Sequence, residues 1–205
     1  MLDCKSVHAP GYGPELSEEE PEETLLGAQD VKLYQAIVGS VVYLAQVTRY
    51  DICYAVNQLT RASSKPAMII MTAAKHLLRY LKGSPELVII YKKGQFAIHG
   101  YTNAPFAATS DNRRSTTGYL FFLCGAPIRF GSRTQTLTAQ STVEAELMAI
   151  ISGAKEAVYV YNFITELSFR VFDSVPITCD STGALHIAGN SKNSSPTKHV
   201  ALRFF

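Results

Sequence analysis

The tightest constraint on the fold is a change of hydrophobic rhythm at Ser141. Upstream, apolar residues fall in short runs, Leu87–Tyr91, Phe96–Tyr101, Ser115–Cys124 and Ile128–Thr138, broken by Gly94, by Ser110-Asp111-Asn112, and by Gly125 with Pro127. Runs of this length between turn formers read as strands of an antiparallel meander. From Ser141 onward, Val143, Leu147, Ile150, Ala154, Val158 and Tyr161 recur at three or four residues, and Ser141 with Glu144 makes the Ser-x-x-Glu capping box. That pattern predicts one helix of about 25 residues with its start fixed locally.

The flanks follow the same logic. Val175–Asp180 reads as a short strand, Thr182–Ala188 as a short helix stopped by Gly189-Asn190, and Ser191–Thr197 as a polar loop. Upstream, Tyr34, Ile37, Val41 and Leu44, then Ile52, Val56 and Leu59, then Ala73, Leu77, Leu78 and Leu81 before Gly83 predict three short helices. Residues 1–31, with Pro10, Gly11, Gly13 and an acidic run from Glu15 to Glu23, read as a solvated arm or linker. The expected organisation is an arm at 1–31, a small helical segment at 32–84 and a mixed domain at 85–205. Meander, helix, strand, helix describe an α/β or α+β mixed sheet with helices packed against it.

Composition narrows the function little. With 205 residues, 47% hydrophobic and 18% charged, the chain suffices for one core, or one core and a small subdomain. A net charge of +2 is too mild to mark a strongly electrostatic nucleic-acid binder. Cys4, Cys53, Cys124 and Cys179 lie far apart, without the spacing of a zinc site or redox dithiol, and read as small core residues in a reducing compartment. No run reaches the roughly 18 apolar residues of a membrane span, and the start lacks an export segment, so the expected location is intracellular, cytoplasmic or nuclear.

Two acids stand out by position. Glu146 falls in the first turns of the long helix and Asp180 at the end of the late strand, and strand ends and helix starts can meet at one edge of a sheet. Two acids make a thin site for magnesium, which prefers several oxygen ligands. Taken alone, Glu146 also suits a dipole-favoured surface acid and Asp180 a helix cap. Asp111 reads as a turn residue. His76, His99 and His186 carry no ligand spacing. Tyr119, Phe121 and Phe122 in a strand, and Tyr159, Tyr161 and Phe163 in a helix, read as packing rather than base-stacking residues.

A series of motifs runs from Tyr34 to the end: Tyr34-x-x-Ile37-Val38-Gly39-Ser40-Val41-Val42-Tyr43-Leu44-Ala45, Thr48-Arg49-x-Asp51-Ile52, Ala73-Ala74-Lys75-x-Leu77-Leu78-Arg79-Tyr80-Leu81-Lys82-Gly83, Arg113-Arg114-Ser115-Thr116-Thr117-Gly118-Tyr119, Ser141-Thr142-x-Glu144-Ala145-Glu146, Cys179-Asp180 and Thr197-Lys198-His199. In these motifs the chain resembles the C-terminal part of the polyprotein of a Ty1/copia-type retrotransposon. By this resemblance, residues 34–84 correspond to the tail of the reverse transcriptase and 85–205 to a ribonuclease H-like domain.

The resemblance implies a centre in which four acids hold two Mg2+ ions and hydrolyse the RNA strand of an RNA–DNA hybrid. Its helix glutamate falls on Glu146 and its second-strand aspartate on Asp180. Its first-strand aspartate falls on Asn103, within Tyr101-Thr102-Asn103-Ala104-Pro105-Phe106, and its last acid on Ala201. The family's tryptophans are absent, with Phe106 and Phe130 standing near those positions. Arg113, Arg114, Lys198 and His199, with Arg129, Arg133 and Lys192, are the candidates for a nucleic-acid backbone.

Halving the ligand charge weakens capture of divalent cations and implies weak or absent Mg2+ binding. The expectation is a catalytically inactive, retrotransposon-derived ribonuclease H-like protein with at most weak binding of hybrid or other nucleic acid. Two alternatives stay open: an active magnesium-dependent hybrid ribonuclease, and a domesticated protein-interaction scaffold. The domain is expected to end partway through its last segment, exposing an edge suited to self-association.

Overall fold

The computed structural model describes residues 4–13, 16, 21–94, 96–107, 113–167 and 173–189. The chain divides into two compact units, Met1–Ile90 with Gly131–Arg133, and Tyr91–Phe130 with Thr134–Phe205. Among the described residues no helix is long and apolar enough to cross a membrane.

The first unit is helical. Helix α1 spans Ala28–Val47, α2 Cys53–Arg61 and α3 Met68–Gly83, with a 3-10 turn at Tyr50–Ile52 ahead of α2. Helix α1 therefore starts before Lys32, where its apolar stripe begins, because Gly27 in an extended conformation accepts the Val31 N–H at 3.0 Å. Tyr34, Val38, Val41, Ile52, Leu59, Ile70, Ala74 and Leu77 form the core. Tyr34 is fully buried and its hydroxyl donates to the Leu59 carbonyl at 2.6 Å, so a core aromatic keeps its polar end satisfied. Burial pushes its pKa up.

Polar bonds close this unit. Arg49 donates through Nε and Nη2 to the Asp51 carboxylate at 2.9 and 2.8 Å, and through Nη1 and Nη2 to the Ser84 carbonyl and hydroxyl at 3.0 and 2.8 Å. The Tyr80 hydroxyl donates to Asp51 at 2.7 Å, and its ring lies 5.4 Å under the guanidinium. The described part of the segment read as a solvated arm lies against α3: Arg79 donates to the Lys5 carbonyl, Lys82 to that of Cys4, and Val7, Tyr12 and Leu16 pack on the core.

The second unit is a four-stranded sheet in the order β3-β2-β1-β4, with β1 Ile98–Asn103, β2 Thr116–Leu123, β3 Ala126–Thr134 and β4 Ile177–Thr178. Strand β1 runs antiparallel to β2, from Ile98↔Leu123 to Asn103↔Gly118, and parallel to β4, with Gly100↔Ile177 and Tyr101↔Thr178. Cys124 and Gly125, at φ +52° and +77°, make the two-residue turn between β2 and β3. Positive φ at both positions matches the right-handed twist of a hairpin.

The expected strand at Leu87–Tyr91 is not formed, and β3 stops at Thr134 instead of reaching Thr138. Leu87, Val88, Ile90 and Tyr91 are all exposed. An apolar run gives a strand only where a partner strand stands beside it, and periodicity does not encode the partner.

Helix α4, Thr142–Glu166, has the length read from its periodicity and packs on β1 and β2. Ile98, Tyr119 and Phe121 meet Ala157, Val160 and Ile164, while Ala104 meets Ala145, Met148 and Ala149. Two glycines permit the close approach. A Cβ on Gly100 would stand 2.3 Å from the Phe121 ring, and one on Gly153 2.4 Å from Thr102 Cγ2. Helix α5, Thr182–Gly189, packs on α4 through Ala184 against Leu147.

Candidate metal centre

The start of α4 is fixed by its own residues. The Glu144 N–H donates to Ser141 Oγ at 3.1 Å, and the buried Glu144 carboxylate accepts the Gln140 N–H at 2.6 Å. The reciprocal bond of the capping box thus reaches one residue further back than the usual pattern. This start holds Glu146, 8% exposed, beside the end of β1, where its Oε1 accepts the Ala104 N–H at 3.0 Å.

Cys179 follows β4, and its Sγ–H donates to Glu146 Oε2 at 3.6 Å while its sulfur accepts the Ser181 N–H at 3.4 Å. Burial raises the Cys179 thiol, and the neighbouring Glu146 and Asp180 carboxylates add to that rise against the opposing Ser181 N–H. Ser181 Oγ accepts the Ala184 N–H at 3.3 Å, so Ser181 caps α5 and the Asp180 carboxylate stays exposed. One ligand atom each from Glu146, Cys179 and Asp180 lie within 4.8 Å of one another.

Asn103 is exposed and immediately precedes Ala104. Asn103 closes β1, whose parallel pairing with β4 covers Gly100↔Ile177 and Tyr101↔Thr178, and Asp180 lies two residues past the end of β4. Arg113, at φ +52°, and Arg114 are exposed just before β2, and the antiparallel register puts them at the same end of the sheet as Asn103. Arg129 is engaged elsewhere: its Nε donates to Glu156 at 2.6 Å and its guanidinium lies 5.3 Å over the Tyr159 ring. Ala201, Lys198, His199, Lys192 and Asp111 lie outside the described residues.

Tyr119 and Phe121 are core residues, as their strand predicts. Tyr159 and Phe163 are not: both are half exposed and stacked on each other at 6.4 Å on the outer side of α4. Cys179 is buried, as a small core residue should be, and its thiol also bonds Glu146. Its adjacency to Asp180 was the available signal, because a strand end that delivers one residue to a site brings its neighbour close.

These donors do not suit a pair of magnesium ions. Magnesium takes hard oxygen ligands in octahedral geometry, whereas here one donor is a thiol and one Glu146 oxygen already accepts a backbone N–H.

No family model and no solved structure matches the chain. It is 37% identical over 83% of its length to the retrovirus-related Pol polyprotein from transposon RE1 of Arabidopsis thaliana. It is 36% identical over 83% of its length to that from transposon TNT 1-94 of Nicotiana tabacum. It spans only 12% and 13% of those polyproteins. It is also 36% identical over 62% of its length to the secreted RxLR effector protein 161 of Plasmopara viticola, of which it covers 90%.

Proposed function

We infer the function of this chain from its family: it is a homologue of one segment of the Pol polyproteins of Ty1/copia-type retrotransposons. We propose that its sheet-containing unit is a ribonuclease H-like domain that has lost hydrolysis and keeps at most weak binding of RNA–DNA hybrid or other nucleic acid. The helices before it are then a remnant of the reverse transcriptase tail. A three-stranded antiparallel meander followed by helix, parallel strand and helix supports that reading.

The observation that carries the loss of hydrolysis is the amide at Asn103. It closes β1 next to Ala104, whose N–H bonds Glu146, at the position where the resemblance puts a further carboxylate. A neutral oxygen in place of a charged one weakens cation capture, and metal activation of water is the source of this kind of catalysis. Arg113 and Arg114, at the same sheet end, are the groups proposed to meet a phosphate backbone.

The test is incubation of the full chain with a labelled RNA–DNA hybrid in Mg2+ or Mn2+, with chelator controls and Glu146→Gln alongside. We expect no cleavage above the Glu146→Gln background, and a gel shift that weakens steeply with salt. Cleavage that chelator and Glu146→Gln both abolish would establish the active ribonuclease instead. The exposed stripe of Val158, Tyr159, Phe163 and Leu167 along α4 favours a second reading, a protein-interaction scaffold, which absence of both cleavage and gel shift would support.

A further inference from the structure

We propose that residues 86–92 are a self-pairing strand, through which two copies of this chain join edge to edge in antiparallel register about Ile89. The run reads as a strand and forms none within the chain. Leu87, Val88, Ile90 and Tyr91 are 52–68% exposed, and no backbone group of Val88, Ile89 or Ile90 bonds another described residue. Consecutive apolar, largely β-branched residues with an open backbone are a template for another strand.

The segment's own sequence selects a second copy as the partner. In Glu86-Leu87-Val88-Ile89-Ile90-Tyr91-Lys92, an antiparallel two-fold at Ile89 puts Leu87 opposite Tyr91 and Val88 opposite Ile90, apolar against apolar at each step. It also puts Glu86 opposite Lys92 at both ends, and both residues are exposed. Such a two-fold contact closes on itself, because each copy offers the same patch. Parallel in-register stacking would set Glu86 against Glu86 and Lys92 against Lys92, like charges directly opposed.

One side of the segment is already committed within the chain. The Lys92 N–H donates to the Cys124 carbonyl at 3.1 Å, and the Tyr91 hydroxyl to the Pro127 carbonyl at 2.9 Å, which anchors that end on the β2–β3 hairpin. In a strand, successive N–H groups alternate in direction, so Val88 and Ile90 share the Lys92 side while Leu87, Ile89 and Tyr91 address the other. The two-fold at Ile89 uses that other side: Ile89 exchanges backbone bonds with Ile89 of the second copy, and Leu87 with Tyr91. The Leu87 N–H is held only at 3.5 Å, by the Ser84 carbonyl. Pairing therefore breaks no short bond in either chain, and an anchored segment has less freedom to lose than a loose one.

The experiment is sedimentation of the full chain, freed of nucleic acid, over a range of concentrations at low salt, where exposed charge pairs are least screened. A reversible equilibrium of monomer and dimer is expected. Glu86→Lys and Lys92→Glu should each weaken dimerisation by about tenfold, because attraction at both ends turns into repulsion. The double exchange, Glu86→Lys with Lys92→Glu, should restore it to within about twofold of the parent chain. Both positions are exposed, so circular dichroism should be unchanged in all three variants. A monomer at every concentration up to about 1 mM, growth into open-ended aggregates, single exchanges without effect, or a double exchange that fails to restore the dimer would each overturn the proposal. Single exchanges without effect on a dimer would place the contact elsewhere, the exposed stripe of α4 included. No nucleic acid or metal enters this assay, so its outcome and those of cleavage and gel shift stand or fall separately.

Discussion

Replacing Asp51 by alanine should destabilise the helical unit by about 3 kcal/mol. The Arg49 guanidinium is 9% exposed and divides its donors between Asp51 and Ser84. Removing the carboxylate strips two charge-assisted bonds from a buried cation and leaves the Tyr80 hydroxyl without its acceptor. Breaking a buried pair from one side costs about 3–5 kcal/mol. Here the carboxylate is 24% exposed and the cation retains Ser84, which places the cost at the lower end. With a urea slope of roughly 1.5 kcal/mol/M, the transition midpoint should fall by about 2 M. Urea unfolding of the full chain followed by circular dichroism measures it. The double variant Arg49→Met with Asp51→Ala should recover part of the loss, because no uncompensated charge then remains buried. A cost below about 1 kcal/mol for Asp51→Ala would refute the reasoning and class the pair with solvated surface bridges.

The same network predicts acid sensitivity. Burial by itself raises the Asp51 carboxyl, but the bonds from Arg49 and Tyr80 outweigh it and hold it below its ordinary range. A depressed folded pKa contributes stability that is full above the unfolded value and lost as pH falls through the folded one. Stability should therefore drop below the ordinary carboxylate range, and Asp51→Asn should flatten that drop; equal slopes in acid titrations of both proteins would contradict it. Gly100→Ala should cost about 1–3 kcal/mol in thermal unfolding, because the new methyl meets the ring of fully buried Phe121, and an unchanged melting point would sink this. Ser141→Ala should cost about 1 kcal/mol in urea unfolding through the lost helix cap, and Ser141→Gly only a few tenths; identical losses would argue against the cap.

What was legible in the sequence was what is decided locally. The start and length of α4 follow from Ser141, Glu144 and a periodicity that needs no distant partner. The break at Gly125 follows from glycine's freedom at positive φ, but the turn pairs Gly125 with Cys124, and Pro127 stands inside β3. The Leu87–Tyr91 run reads as a strand and forms none, because strand pairing is settled by a distant segment that composition does not reveal. Tyr159 and Phe163 read as packing residues yet stand half exposed, because a long helix is covered on one face only and an aromatic beside the apolar stripe resembles one within it. In the candidate site, Glu146 and Asp180 were readable as an acid pair from their places on helix and strand. The Cys179 sulfur beside them carried its signal only through adjacency to Asp180, because a buried cysteine by itself reads as packing.

The bond from the Ala104 N–H to Glu146 bears on how such a domain decays. A carboxylate that fastens a strand end to a helix start is useful to any copy that must fold, whether or not that copy still cuts anything. Asp180, exposed and outside that fastening, enjoys no such protection. In drifting descendants of this sequence the helix acid should outlast the acid after β4, so its survival alone is no sign of a surviving reaction.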